Sequence, residues 1–170
     1  MKIGIGKWLP LTILAVLLLA MNLPAEETAE KAEEVNKYIG DSAKKCKMCH
    51  KEEVAAWEKW GMAKTFDVLS EEDKAKDECI RCHVTGFGEK GGWISAKDTP
   101  ALMHIQCEAC HGPAGGHMKA GMDKEKRAAT QTAPDKEDCL ACHNEDYPDF
   151  EGFDYDKALK EIKHWSDPEE

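Results

Sequence analysis

Four times the chain repeats one pattern: two cysteines three positions apart, followed at once by a histidine. The copies are Cys46–His50 (CKMCH), Cys79–His83 (CIRCH), Cys107–His111 (CEACH) and Cys139–His143 (CLACH), and they use all eight cysteines. Cys-x-x-Cys-His is the attachment pattern of c-type haem. One helical turn brings Cys46 with Cys49, Cys79 with Cys82, Cys107 with Cys110, and Cys139 with Cys142 to one side. There each thiol can form a thioether to a porphyrin vinyl group. The next residue, His50, His83, His111 or His143, then sits under the iron as its proximal ligand. Zinc bound by four cysteines would not demand a histidine after every pair. A structural disulfide framework suits an oxidising compartment, but it seldom keeps a two-residue gap in every pair. A thioredoxin-like redox motif needs a βαβ setting, and the chain offers none. The pattern therefore predicts four covalently bound c-type haems.

Three histidines remain for the distal faces of the irons: His104, His117 and His164. A second histidine gives a six-coordinate electron-transfer haem, and a methionine in that place raises the potential. The bland alternative for each spare histidine is exposure to solvent or a hydrogen bond to a propionate. Three cannot serve four irons, so one iron takes a methionine, keeps an open position, or receives a histidine from another subunit. Met62 is the foremost methionine, on the apolar face of a helix, with ordinary packing as its alternative. Met103, Met118 and Met122 rank behind it. No residue is assigned a catalytic role.

The elements that must hold these motifs are short. The stretch Lys51–Leu69 reads as a helix with Ala55, Met62, Phe66 and Leu69 on one face and Gly61 as a local weakness. Thr132, Pro134 and Asp135 mark a helix start before the fourth motif. Ala158, Leu159 and Ile162 fall at helical spacing ahead of His164. Val35, Tyr38 and Ile39 could make one weak helical stripe ending at Gly40. The glycine-rich TGFGEKGG, residues 85–92, lacks the strand and the terminal GK[ST] of a phosphate loop. It reads either as backbone passing close to something bulky or as simple flexibility. The first cysteines of the motifs lie 33, 28 and 32 residues apart, and the linkers do not resemble each other. No β signal is convincing. Large apolar residues are sparse after residue 25, so side chains alone would bury little core, whereas porphyrin plates bury area worth roughly 25 cal/mol per Å². The expected fold is mostly α with extensive loops and little or no β, wrapped around a stacked four-haem core.

The N-terminus carries Lys2 and Lys7, then an apolar run of 12 residues from Leu9 to Ala20, short of the ~20 that a membrane span needs. It reads as a signal peptide over residues 1–25, with an uncleaved anchor as the alternative. A charged leader over 26–44 and a tetrahaem domain over 45–166 follow. The whole chain has 23 basic and 33 acidic residues, and removing Lys2 and Lys7 leaves 21 against 33, a net charge of −12. That field excludes nucleic acid as a partner. It suits a soluble mature protein and docking to redox partner proteins with basic surfaces. The leader points to the periplasm or the extracellular space, and the oligomeric state is left open.

The stretches CKMCH…AAWEKWGMAKTFDVL, CIRCHVTGFGEKGG, IQCEACHGPAGGH and CLACHN…FDYDKALKEIKH together resemble the tetrahaem cytochromes c of the cytochrome c-554 type. The resemblance spans about Cys46 to His164. It implies a mostly helical protein with haems stacked in parallel and perpendicular pairs, working as a periplasmic or extracellular electron carrier. Members often carry a histidine twelve positions past the first proximal histidine, which ligates the third haem. Met62 stands there in this chain, which implies His/Met ligation or an open third haem. By the same resemblance His117 would ligate the fourth haem, and His104 and His164 the first two, while the second haem can be five-coordinate. The function implied is the transfer of single electrons between redox partners in a respiratory chain. Two alternatives are reduction of a small nitrogen oxide at an open-site haem and assembly as a subunit of an extracellular haem filament.

Overall fold

A computed structural model describes residues 37–146 and 150–164; the signal-peptide reading falls outside them, as does Val35. The described residues form seven short α-helices joined by loops and 3-10 segments: α1 Lys51–Trp57, α2 Asp77–Ile80, α3 Cys107–His111, α4 Gly115–Lys119, α5 Lys124–Ala128, α6 Lys136–Leu140 and α7 Tyr155–Ile162. Among the described residues the β structure amounts to one isolated antiparallel bridge, Val84 to Met103. The helix-and-loop class expected from sequence is what the chain adopts.

Local chemistry explains the helix ends. Asp135 caps α6 by accepting from Asp138 N–H, while the Asp138 carboxylate accepts from Asp135 N–H, a reciprocal capping box. Asp123 and Asp154 cap α5 and α7 in the same sense. The long helix expected over Lys51–Leu69 is broken. α1 stops at Trp57, Trp60 turns extended (ψ 152°), and residues Gly61–Val68 continue as a 3-10 helix. Gly61 is the weak point, and the break changes which side chains are buried. Val54, Trp57 and Phe66 are buried, rather than the stripe through Ala55 and Met62. Phe66 joins Ile80 and Val84 in a small apolar core, flanked by Leu69, Phe87, Trp93 and Met103.

The glycine-rich loop passes close to something bulky, and that is the chain itself. A Cβ on Gly92 would lie 1.9 Å from Gly86 O, and one on Gly86 (φ +71°) would lie 2.9 Å from the Tyr38 ring. Trp93 N–H then donates to Thr85 O and Gly86 O, closing the loop on itself. Tyr38 and Ile39 are not helical. Residues 37–44, read from sequence as the end of the charged leader, run into the heart of the fold, where Gly40 and Ser42 are buried.

Candidate haem-attachment centre

Each motif occupies one helical turn. The first is a 3-10 turn over Cys46–Met48, with Cys49 N–H and His50 N–H both donating to Cys46 O. The second leaves α2 with His83 N–H donating to Ile80 O, and the third is α3 itself. The fourth leaves α6 with Cys142 and His143 N–H donating to Cys139 O. Both thiols of each motif therefore emerge on one turn, as double thioether attachment requires. All eight cysteines are free thiols.

The four turns lie against one another. The Cys46 thiol is hydrogen-bonded to that of Cys107, which pushes the Cys46 pKa up and the Cys107 pKa down. Burial first, then a hydrogen bond with Cys82, raises Cys142 to about 12. Burial first, then the charge of Cys139, raises Cys110 to about 11. Motif one thus meets motif three, and motif two meets motif four.

A knot of buried polar side chains, absent from any motif reading, sets this arrangement. Glu108, the first variable residue of CEACH, is 2% exposed. Its carboxylate accepts from Ile39 N–H (2.9 and 3.1 Å), Gly40 N–H (2.6 Å) and Ala114 N–H (2.7 Å). Gln106 Oε1 accepts from Ser42 N–H at 3.0 Å, and Cys107 N–H donates to Ser42 Oγ at 3.2 Å. Gln106 N–H donates to Thr85 Oγ1 at 2.8 Å, and Thr85 Oγ1 donates to His104 O at 2.9 Å. Ser42, Thr85, Gln106 and Glu108 are all buried with partners, as buried polar groups must be. Together they fasten the lead-in to motif one and the exit from motif two onto the start of motif three. Trp57 Nε1–H adds a bond to Ile105 O at 2.9 Å, anchoring α1 there too.

The histidines divide by what their Nδ1 atoms do. His83 Nδ1–H donates to Thr65 O at 2.5 Å, His111 Nδ1–H to Thr132 O at 2.9 Å, His164 Nδ1–H to Ile162 O at 2.9 Å, and His117 Nδ1–H to Arg127 O at 3.4 Å. A backbone carbonyl on Nδ1 fixes the tautomer and frees the Nε2 lone pair for a metal. His104 is different. Its Nδ1 accepts from Phe66 N–H at 3.2 Å, so the neutral ring carries its proton on Nε2. Its backbone is also left-handed, at φ +67°. Burial lowers the pKa of both His104 and His117, keeping them neutral, the form a metal ligand needs.

Two of the spare histidines face proximal ones. The rings of His50 and His117 stand 6.0 Å apart, and so do those of His111 and His164. His117, for which family resemblance implies the fourth haem, faces His50 of motif one. The His143 ring instead stacks on Phe153, 4.7 Å away and 13° from parallel. Met62 is half-buried. Its carbonyl accepts from Ile105 N–H and from Thr65 Oγ1–H, which ties the 3-10 helix to the entry of motif three.

These residues fit haem. The thiols are paired on single turns, the Nδ1–H bonds of His83, His111 and His117 leave Nε2 as the ligating nitrogen, and Arg127 Nε, next to His117, is buried with no hydrogen-bond partner among the described residues. A buried guanidinium nitrogen in want of an acceptor suits the carboxylate of a propionate.

Comparison with known proteins points the same way. The family model described as cytochrome c554 and c-prime matches residues 45–112. Cytochrome c-554 of Nitrosomonas europaea is 33% identical over 133 residues, which cover 61% of this chain and 57% of that protein. The multiheme cytochrome MtrA of Shewanella baltica is 31% identical over 83 residues, covering 43% of this chain and 25% of that protein. The chain thus spans a quarter to somewhat over half the length of these curated relatives. The solved structure of reduced cytochrome c554 from Nitrosomonas europaea superposes with a TM-score of 0.55 at 28% identity, covering 75% of this chain and 84% of that one. With the four motifs, these likenesses support a multihaem cytochrome of the cytochrome c-554 type, whose cofactors are four c-type haems.

Proposed function

We propose that this c-554-type multihaem cytochrome carries single electrons between redox partner proteins of a respiratory chain, outside the cytoplasm. The observation that carries the reading is that attachment turns meet in pairs, motif one with three through Cys46 and Cys107 and motif two with four through Cys82 and Cys142. Haems held on turns this close would be near enough to exchange electrons.

When bound, the haems supply one-electron iron chemistry. The chain does the rest. Its eight thiols hold the plates covalently, and His50, His83, His111 and His143 ligate from the proximal side. Thr65 O and Thr132 O orient two of those imidazoles. His104, His117, His164 and Met62 are the distal candidates. The Ser42–Thr85–Gln106–Glu108 knot keeps three attachment turns in fixed relation, so spacing and orientation need not be rebuilt with each transfer. The acidic surface, from 33 Asp and Glu against 23 Lys and Arg, suits partners with basic docking faces and steers their encounter. The N-terminal leader supports a periplasmic or extracellular setting. No helix among the described residues is long and apolar enough to cross a membrane.

A reductive titration of the full holoprotein tests the reading. Four one-electron equivalents per chain are expected, with rapid passage of electrons to a second cytochrome and no consumption of a small substrate. Steady turnover of nitrite, nitric oxide or hydroxylamine would favour the open-site reductase. That second reading draws on the shortage of histidines, three for four irons, and on Met62. A carbon monoxide titration of the reduced protein separates the two by counting exchangeable irons.

A further inference from the structure

The chain has 23 basic residues, and two of them are arginines, Arg81 and Arg127. Where charge alone matters, lysine serves; arginine adds a planar fork that matches a carboxylate. Arg81 lies inside motif two, and its guanidinium meets the carboxylate of Asp146 at 2.9 Å. Arg127, on α5, is half-buried, and its Nε is enclosed with no hydrogen-bond partner among the described residues, in a chain with 33 Asp and Glu. We propose that Arg127 binds a propionate of the haem carried by motif one and raises the potential of that haem; the proposal rests on the haem-carrying reading above.

The backbone of Arg127 is held firmly. Its N–H donates to Asp123 O at 3.0 Å, and its carbonyl accepts from Thr130 Oγ1–H at 2.8 Å. The same carbonyl accepts from His117 Nδ1–H at 3.4 Å. His117 in turn faces His50 of motif one, with ring centroids 6.0 Å apart. Burial is the main reason that the pKa of His117 is low, and the charge of Arg127 is a lesser one, so the guanidinium lies on the His117 side. One residue thus reaches the His50–His117 pair with its carbonyl and carries beside it a buried donor in want of an acceptor. A charged donor left unsatisfied in the interior is costly, and a carboxylate both accepts from it and neutralises it. The propionate is the carboxylate that a haem brings, and motif one is the attachment turn that supplies His50.

Charge fixes the direction of the effect. Reduction adds an electron to the haem, and an ionised propionate near the iron opposes it. A guanidinium bound to that propionate offsets the opposing charge, more strongly where water is excluded. The haem on motif one should therefore be easier to reduce with Arg127 than without it.

The test uses the full-length holoprotein, with potentials from spectroelectrochemical titration and propionate bending bands from resonance Raman. In Arg127→Gln one of the four potentials should fall, by about tenfold in the one-electron equilibrium constant, or about 59 mV, and one bending band should move. The low-spin spectrum should persist, because the bond to His117 comes from the backbone. Arg127→Lys keeps the charge without the fork, so it should recover most of the potential and little of the band. Unchanged potentials and bands in Arg127→Gln would overturn the proposal, as would equal falls in the two variants. Proton NMR of the parent identifies the haem and needs no variant. Contacts from the Arg127 side chain to a propionate of the haem bonded to Cys46 and Cys49 are expected, and contacts to another haem in their place would refute it. A free anion offers the same chemistry. The parent's potentials should not respond to inorganic phosphate at constant ionic strength, and a response that Arg127→Gln abolishes would assign the site to the free anion and overturn the proposal. Failure of the electron-carrier reading would appear separately, in the parent's own reductive titration.

Discussion

Replacing Glu108 should unfasten the molecule more than any surface change of the same kind. Its carboxylate is buried and meets three backbone N–H groups, those of Ile39, Gly40 and Ala114. In Glu108→Ala all three lose their acceptor, and those of Gly40 and Ala114 are buried. At about 1–3 kcal/mol for each buried orphan, the expected loss is about 2–6 kcal/mol. That is a large share of the roughly 5–15 kcal/mol by which a domain is stable. Glu108→Gln is a finer probe. Oε1 accepts from Ile39 and Ala114, Oε2 from Gly40 and Ile39. An amide nitrogen at either place faces at least one donor, so the loss should be intermediate. Guanidinium unfolding of the holoprotein, followed by far-ultraviolet circular dichroism and by the Soret band, measures both. Glu137→Gln, exposed on α6, is the control and should stay within about 0.5 kcal/mol. Hydrogen exchange should show the Gly40 and Ala114 amides losing protection in the Glu108 variants. A Glu108→Ala protein within about 1 kcal/mol of the parent, with both amides still protected, would refute the argument that this carboxylate holds the lead-in to the third motif.

Gly40→Ala should also be costly. Gly40 sits at φ +58°, a left-handed conformation worth about 1–2 kcal/mol against a side chain, and its Cβ would fall 2.3 Å from Ala101 O; a lowered denaturant midpoint with unchanged slope is expected. Trp57→Phe removes the bond to Ile105 O and should cost about 1 kcal/mol or more, read by the same unfolding experiment. Acid should weaken the protein through His117. Burial holds its pKa below the ordinary histidine value, so its contribution is complete above that value and is lost as pH falls through the lowered one. Iron coordination acts in the same direction, because only the neutral ring can ligate. The low-spin spectrum of the holoprotein should therefore decline on acidification, and His117→Phe should lack that part of the transition.

The attachment chemistry was legible because it is written in contiguous residues. Cys-x-x-Cys-His needs one helical turn, and one turn is what each motif makes. The helix start at Asp135 was similarly local. Burial was less legible. Ser42, Thr85 and Gln106 are residue types that read as loop, and Glu108 reads as surface, yet all four are buried because distant backbone groups satisfy them. A single sequence carries no sign of partners 64 to 69 residues away for Ser42, Gln106 and Glu108, or 19 and 21 away for Thr85. The helix over Lys51–Leu69 was overextended because its periodicity continues past Gly61 while the backbone does not. For TGFGEKGG the close-packing alternative was the right one, but its neighbour, the chain's own backbone and Tyr38, could not be named from composition. Ligand pairing was least legible of all, since it depends on where α4 and α7 deliver His117 and His164.

The bonds from Ile39 and Gly40 to Glu108 span 69 and 68 residues. Read as time, that spacing is a delay. A chain made at about 5–20 residues per second needs on the order of 3–14 s to produce Glu108 after Ile39. Until then the lead-in to motif one has nothing to dock against, and Cys107 is not yet there to meet Cys46. The lead-in to motif one can therefore dock only after the third motif has emerged.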